Sequence, residues 1–367
     1  MKKIALLSAL LALIICIQAQ QLIPSKKGKL FGFTDPSGNW VITPQYNAAK
    51  PFSSGFAAVE LQDKSGYLYI NEKGENSFGL TFGKAFPFEG PVARASDPEK
   101  GYGIINTSGK WNIAPQGFVN ELKIAEGFIA AADPYGSYGY MDLNGQWVIK
   151  PEYSMTTPFS NGMGAVKKDG KWGFLDPSGT LMIPCQFEEI RYFSEDLAAA
   201  KQNGKWGYIN KSGQWIIQAK YDVAEKFSDG MAVVGYGNYV VNPEVKRGYI
   251  DKTGKEVIPI NYYICRDFVN GLAGVCAAPG AAYGLIDKTG KLVLPPSYNE
   301  IFEFDKETGL AMYRHKGKAG YIDRNGKEII PAKYQAVYGF VNGLCLVTNS
   351  SYVMFYIDLK GKEYIFE

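Results

Sequence analysis

His315 is the only histidine in the 367-residue chain. It stands in "YRHKGKAG", between charged neighbours, and is read as a solvated turn residue. Ser–His and Cys–His nucleophilic catalysis needs an imidazole held by an orienting partner. No G-x-S-x-G, P-loop or H-E-x-x-H string occurs. Paired carboxylates hydrolyse glycosides without histidine. The candidates here, Glu188-Glu189 and Asp305 with Glu307, read as ordinary loop charges. No catalytic, cofactor-binding or metal-ligating residue is assigned, no cofactor is expected, and the chain is read as a non-enzyme.

Cysteine chemistry is equally sparse. Past Cys16 the cysteines are Cys185, Cys265, Cys276 and Cys345, with no C-x-x-C pair for zinc or redox work. Cys265 and Cys276 are close enough in sequence to bridge neighbouring strands. The reading preferred is four buried free thiols acting as small apolar side chains.

The largest recurring set of polar groups is a column of Asp and Asn: Asp35, Asn71, Asn106, Asp142, Asp176, Asn210, Asp251, Asp287, Asp323 and Asp358. A carboxylate ladder would suit calcium or acid catalysis. Asn replaces Asp freely, however, and calcium sites need several carboxylates close together. Each column residue opens a motif such as "DPSG", "NKSG" or "DKTG". Asp or Asn starts a type I turn by accepting a local hydrogen bond, and Gly takes the left-handed position that ends it. The column is therefore turn chemistry.

Those turns must be positioned by a repeat. The recurrent anchors are Gly32, Leu68, Gly103, Gly139, Gly173, Gly207, Gly248, Gly284, Gly320 and Phe355, spaced 34 to 36 residues apart except for one interval of 41. Fourteen residues past the anchor stands Tyr or Phe, from Tyr46 to Tyr334, and twenty past it stands Phe, from Phe52 to Phe340. The third unit misses both, with Gly117 and Lys123. All six tryptophans occupy two repeat positions: Trp172 and Trp206 precede the anchor, whereas Trp40, Trp111, Trp147 and Trp215 follow it by eight. The later position should face the aliphatic two past the anchor, as Trp215 faces Ile209. Core packing is preferred over an exposed sugar platform.

The unit "GYIDKTGKEVIP" (Gly248 to Pro259) reads as strand, turn, strand. Pro and Tyr should then break the strand, a loop should carry the Phe, and "FSDGMAVV" should lead into a third strand. After the anchor an aromatic alternates with an aliphatic, so both strand faces are apolar and both must be covered. Units must therefore stack. The anchor Gly is expected to clear room for a ring of the neighbouring unit.

"KWGFLDPSG", "KWGYINKSG", "FSDGMAVV" and "IIPAKY" resemble the WG-containing repeat family, over roughly residues 30 to 367. The chain keeps Trp-Gly only at Trp172-Gly173 and Trp206-Gly207. The resemblance implies a bacterial protein and carries no general activity.

The leader "MKKIALLSALLALIICIQAQ" reads as a secretory signal peptide, residues 1–19, ahead of a repeat region at 20–367. Ile15 stands where a lipid-attachment motif at Cys16 wants Gly, Ala or Ser. Loss of Lys2 and Lys3 leaves 37 basic and 36 acidic residues of the chain's 39 and 36. No basic face for nucleic acid and no second membrane-spanning stretch stands out.

The fold expected is all-β, a tandem array of about ten antiparallel three-stranded units of ~35 residues, elongated or spiralling. The alternative is one or two β-propellers. The function expected is a non-catalytic binding or scaffold protein of the periplasm, cell surface or exterior, contacting a protein or polysaccharide. The alternative is a carbohydrate-active enzyme or lectin-like module built on aromatics and carboxylates. The exported chain is expected to begin at Gln20; an intact mass that begins at Met1, or that carries lipid on Cys16, would contradict this.

Overall fold

A computed structural model describes residues 22–116, 123–237 and 245–367. The leader with its cleavage site, Gly117 and most of the long "GYGNYVVNPEV" insertion lie outside the described residues. Every regular element described is a β-strand. The strands form consecutive small antiparallel sheets, most of them four-stranded meanders. Unit 6 is representative: Glu189–Ile190, Leu197–Gln202, Lys205–Asn210 and Trp215–Tyr221 pair in chain order. Ten such units follow one another, one per anchor, when the seven-stranded sheet is divided into its N-terminal three and C-terminal four strands.

Units 3 to 10 thus each have one strand more than the three expected, whereas units 1 and 2 have three. The extra strand lies just past the Tyr column and runs from two residues, as at Glu189–Ile190, to six, as at Val223–Ser228. The expected break at Pro and Tyr does not occur. The fourth strand runs through to the Tyr, as in Leu181–Phe187 and Glu328–Tyr334, with the Pro inside it. The Pro is tolerated because the pairing bulges there. In unit 6, Trp206 faces Tyr221 while Tyr208 faces Ile217, so three residues of one strand oppose Gly207 alone.

This bulge explains the anchor glycine. A Cβ on Gly207 would lie 2.4 Å from the Ile217 carbonyl oxygen and 2.6 Å from the Ala219 nitrogen. Gly173 and Gly320 meet the same carbonyl position at 2.5 and 2.4 Å. The space is therefore taken by backbone of the same unit, and not by a ring of the next one as the sequence suggested. Unit 2, where Leu68 replaces the glycine, has no regular fourth strand, and only the single bridges Tyr67–Phe82 and Ile70–Asn76 link its last strand to the chain that follows.

Stacking between units makes the core. Each buried cluster draws on consecutive units, for example Tyr208, Ile217 and Tyr221 of unit 6 with Ala224, Phe227 and Val234 of unit 7. The Phe column packs on the aromatic one past the anchor. Ring centroids are 4.8 Å apart for Tyr208–Phe227, 4.7 Å for Tyr249–Phe268 and 4.7 Å for Phe174–Phe193. The tyrosine hydroxyl then donates across the junction: Tyr208 to the Glu225 carbonyl at 2.8 Å, Tyr249 to that of Arg266 at 2.7 Å. Burial pushes both hydroxyls well above the usual tyrosine range, so they remain donors.

The series of junctions closes end to end. The first strand described, Ile23–Lys27, pairs in parallel with the last, Glu363–Phe366. Trp40 packs on Phe366 at 5.2 Å, and the Tyr356 hydroxyl donates to the Ala49 carbonyl at 3.1 Å. One cluster joins Tyr356 and Tyr364 of unit 10 to Phe31 and Tyr46 of unit 1 and Val59 of unit 2. The tandem array is thus joined into a single circuit.

Gly207→Val is expected to destabilise by about 3 kcal/mol, the upper part of the overpacking range, because backbone and not a movable side chain fills the space. Lys211→Val removes only an exposed ion pair with Asp196 at 2.8 Å and should stay within about 0.5 kcal/mol. Equal melting temperatures for the two variants would refute the bulge explanation.

Candidate binding surface

The Asp and Asn column does turn work. In unit 7 the Asp251 carboxylate accepts from Thr253 N at 2.9 Å, Thr253 Oγ1 at 2.6 Å and Lys255 N at 3.1 Å. In unit 6 the Asn210 side-chain oxygen accepts the same three bonds from Ser212 N, Ser212 Oγ and Gln214 N at 3.0, 2.8 and 3.0 Å. The hydroxyl bond, followed by the backbone ones, holds the carboxyls of Asp176, Asp251 and Asp287 below their ordinary value. The turn glycine also reaches the preceding unit. A Cβ on Gly254 would meet the Ile217 side chain at 3.2 Å, and one on Gly179 would meet Ile149 at 3.1 Å.

The tryptophans are packed between units. Trp215 pairs with Ile209 as expected, and its ring meets Phe187 of the preceding unit edge-on at 5.7 Å. Trp111 meets Phe82 of the preceding unit in the same way at 5.8 Å. Trp206 is buried, with the Arg191 guanidinium 4.7 Å from its ring centre. The other five tryptophans are half-buried.

The segments past the Tyr column, "EEIRYF" and "DVAEKF", fall where a loop carrying the Phe is expected. They hold the short first strands, Glu189–Ile190 and Val223–Ser228. Successive first-strand segments lie side by side and are linked by charge. Arg191 reaches Glu225 at 3.3 Å, Lys226 reaches Asp267 at 2.7 Å, and Arg266 reaches Glu300 at 3.0 Å. Neither Glu225 nor Asp267 was singled out in the sequence, because the partners come from different units, about one repeat apart along the chain.

Turns between first and second strands form a second series. Asp229 and Gly230 both have positive φ, 56° and 78°, as a type I′ turn requires. The Glu195 carboxylate accepts from Gly230 N at 2.9 Å and meets Lys252 at 3.1 Å. The Glu126 carboxylate accepts from Asn161 N and Gly162 N at 2.7 and 2.9 Å.

His315 ends the strand Ala311–His315 and is not a free turn residue. Its ring lies 6.0 Å from that of Tyr298. It shares a cleft of about 500 Å³ with Cys276, Tyr283 and Lys316. The Cys276 thiol is directed instead to the carbonyls of Ala278 and Ala281, at 3.0 and 3.2 Å. All four described cysteines are free. Cys265 faces Val275 and Cys276 faces Ile264, so the two thiols project from opposite faces of the sheet. Glu188 accepts from Asn203 N and Gly204 N, both at 3.0 Å, while Glu189 pairs with Lys201 at 2.6 Å. Asp305 accepts from Thr308 N at 2.7 Å in its own turn. Among the described residues no group of three or more His, Cys, Asp or Glu side chains is placed to hold a metal. No described helix is long and apolar enough to cross a membrane.

The WG containing repeat family matches residues 31–64, 138–172, 172–206, 206–239, 248–277, 283–318 and 320–350. The chain belongs to that family. Each match holds a bulged hairpin together with parts of the strands around it, so the family's sequence period is this structure's unit. No curated protein matches the chain. Among solved structures, a eukaryotic initiation factor is similar in fold, with a TM-score of 0.50 at 12% identity over 94% of this chain and 95% of that one. The computationally designed Ika8 protein gives 0.38 at 14% identity, over 84% of this chain and 98% of that one. BamB from Moraxella catarrhalis gives 0.39 at 9% identity, over 84% and 92%.

Because Asn210 makes the bonds that Asp251 makes, Asp251→Asn is expected to shift stability by under about 0.5 kcal/mol. Asp251→Ala should cost about 1 kcal/mol, since several turn N–H groups lose their acceptor together. Chemical denaturation of the three proteins checks this; equal loss for Asn and Ala would show that the carboxylate charge itself matters.

Proposed function

We propose that this WG-repeat protein is a non-catalytic binding or scaffold protein of the bacterial cell envelope or exterior, meeting a protein or glycan partner through several units at once. The observation that supports this is the division of labour along each unit. The recurring Gly, Tyr, Phe, Trp and Asp or Asn serve the frame, while the first-strand segments and their turns differ from unit to unit. Varied segments on a rigid frame carry specificity, and side-by-side presentation lets weak contacts add through effective concentration.

The carbohydrate-active alternative needs aromatic rings in an open groove beside two carboxylates. Here the Trp rings are engaged between units, as Trp215 is with Phe187. Glu188 and Glu189 are held by Asn203, Gly204 and Lys201. These placements favour the binding reading.

The test uses the full exported chain against immobilised envelope protein and polysaccharide fractions. Charge reversals are made one unit at a time, at Arg191, Lys226 and Glu300. The expected result is a graded loss, each substitution weakening retention several-fold without abolishing it. Complete loss from one acidic substitution, with unchanged circular dichroism and melting temperature, would point to a discrete active site instead.

A further inference from the structure

Like the junction of units 8 and 9, the junction that joins unit 10 to units 1, 2 and 3 leaves space open. Two cavities lie there, of about 450 and 420 Å³. They share Lys50, Leu346 and Tyr356, so they are two chambers of one groove. The first chamber adds Lys26 and Lys29 of unit 1 and Met354 of unit 10. The second adds Lys84 and Pro87 of unit 3 with Tyr338, Val341 and Leu344 of unit 10. Tyr338, Val341 and Met354 are exposed at 59%, 55% and 39%. Ligand sites of this size are mostly apolar, with a few polar groups that fix orientation.

The charge is one-sided. Four lysines line the two chambers and no Asp or Glu lines either. Lys26 lies against the Phe31 ring, 4.6 Å from its centre, and burial lowers its ammonium pKa. Lys84 sits 3.4 Å from the Tyr67 hydroxyl, which in turn donates to Glu60 at 3.0 Å. Glu60, which lines neither chamber, is thus engaged by Tyr67 and by Asn47. Some lysines elsewhere meet carboxylates, as Lys168 meets Glu152 at 3.0 Å and Lys205 meets Asp222 at 2.5 Å. An apolar floor ringed by cations complements an amphipathic anion. An ammonium held against apolar surface is costly until an anion pairs with it.

We propose that this groove binds a long-chain carboxylate, with the head group held by Lys26, Lys29 and Lys50 and the alkyl chain running past Leu346 and Tyr356 into the second chamber. The site is separate from the multi-unit surface proposed above, and its failure would leave that reading untouched.

The experiment is calorimetric titration of the full chain with dodecanoate, below its micelle concentration, and with dodecanol as the neutral counterpart. Dodecanoate is expected to bind, and dodecanol at least about tenfold more weakly, the factor that 1.4 kcal/mol supplies. Lys50→Gln should raise the dodecanoate Kd about tenfold, and Lys26→Gln with Lys50→Gln should raise it further. Lys360→Gln, in a hairpin turn away from both chambers, should leave it unchanged. Unaltered melting temperatures show that the variants fold. Absence of heat with the wild-type chain overturns the proposal, as does an equal Kd in the double variant. It is also overturned if sedimentation shows a dimer that the double variant loses, which would place a second copy in the groove. Binding that appears only after removal of residues 1–21 would place the chain's own leader there, with the same consequence. Pelleting with anionic phospholipid vesicles but no response to dodecanoate would assign the lysines to a membrane surface and refute the free-ligand site.

Discussion

Strands that are apolar on both faces cannot stand alone, and the aromatic junction between units is the contact that answers this. Phe33, Phe174, Tyr208 and Tyr249 follow their anchors and are buried almost completely. Each is met edge-on by the Phe of the next sheet. Edge-to-face pairs add about 0.5–1.5 kcal/mol beyond the area they bury. In the tyrosine units the ring also carries a hydroxyl into the junction. There it satisfies a carbonyl in or just past the neighbour's first strand, so polar satisfaction and apolar burial are achieved by one side chain. A serine beside the Phe extends the coupling. Ser160, Ser194 and Ser228 donate to the carbonyls of Phe193, Phe227 and Phe268, at 2.8, 2.7 and 2.8 Å.

The bulge and the junction depend on each other. The bulged fourth strand carries both Ile217 and Tyr221 into the interior. The turn glycine of the next unit then rests on that isoleucine, as Gly254 does on Ile217. A side chain at the anchor would push the bulge outward and move the shelf on which the next unit sits. Glycine is thus required within a unit for a reason that shows its effect between units. This is why the anchor column persists while the residue before it changes from Trp to Tyr, Arg or Ala.

Much of this was legible in the sequence. The period, the hairpin with its Asp-to-Gly turn, the Trp215 to Ile209 pairing and the aromatic columns all follow from residue type and spacing. The role of Gly207 was misplaced, because a missing side chain shows that something approaches and not what approaches. The end of the fourth strand was misplaced because Pro184 and Pro331 read as breakers until the bulge is seen. The first strand was missed because a two-residue strand such as Glu189–Ile190 has no periodicity to detect. The inter-unit ion pairs, Arg191 with Glu225 or Arg266 with Glu300, depend on two segments some thirty-four residues apart. Only the three-dimensional repeat makes those residues neighbours.

A tandem array leaves two end faces, and each exposes the aromatic surface that every other unit covers. Capping units with a polar outer face are the usual remedy. Here the two ends cover each other instead. Tyr356 of unit 10 donates to Ala49, the Asn342 amide donates to the Phe52 carbonyl at 3.0 Å, and Lys362 donates to the Pro36 carbonyl at 2.8 Å. Asn342 does at this seam what serine does at the ordinary junctions, which reach the next Phe carbonyl through Ser160 or Ser194. The seam is therefore built from the same contacts with different residues. Its parallel pairing of Lys26 and Lys27 with Ile365 and Phe366 has no counterpart among the described inner junctions. A junction assembled from unlike ends has fewer repeated residues to satisfy, and so it is the place where lysines and an open apolar floor coexist with a closed fold.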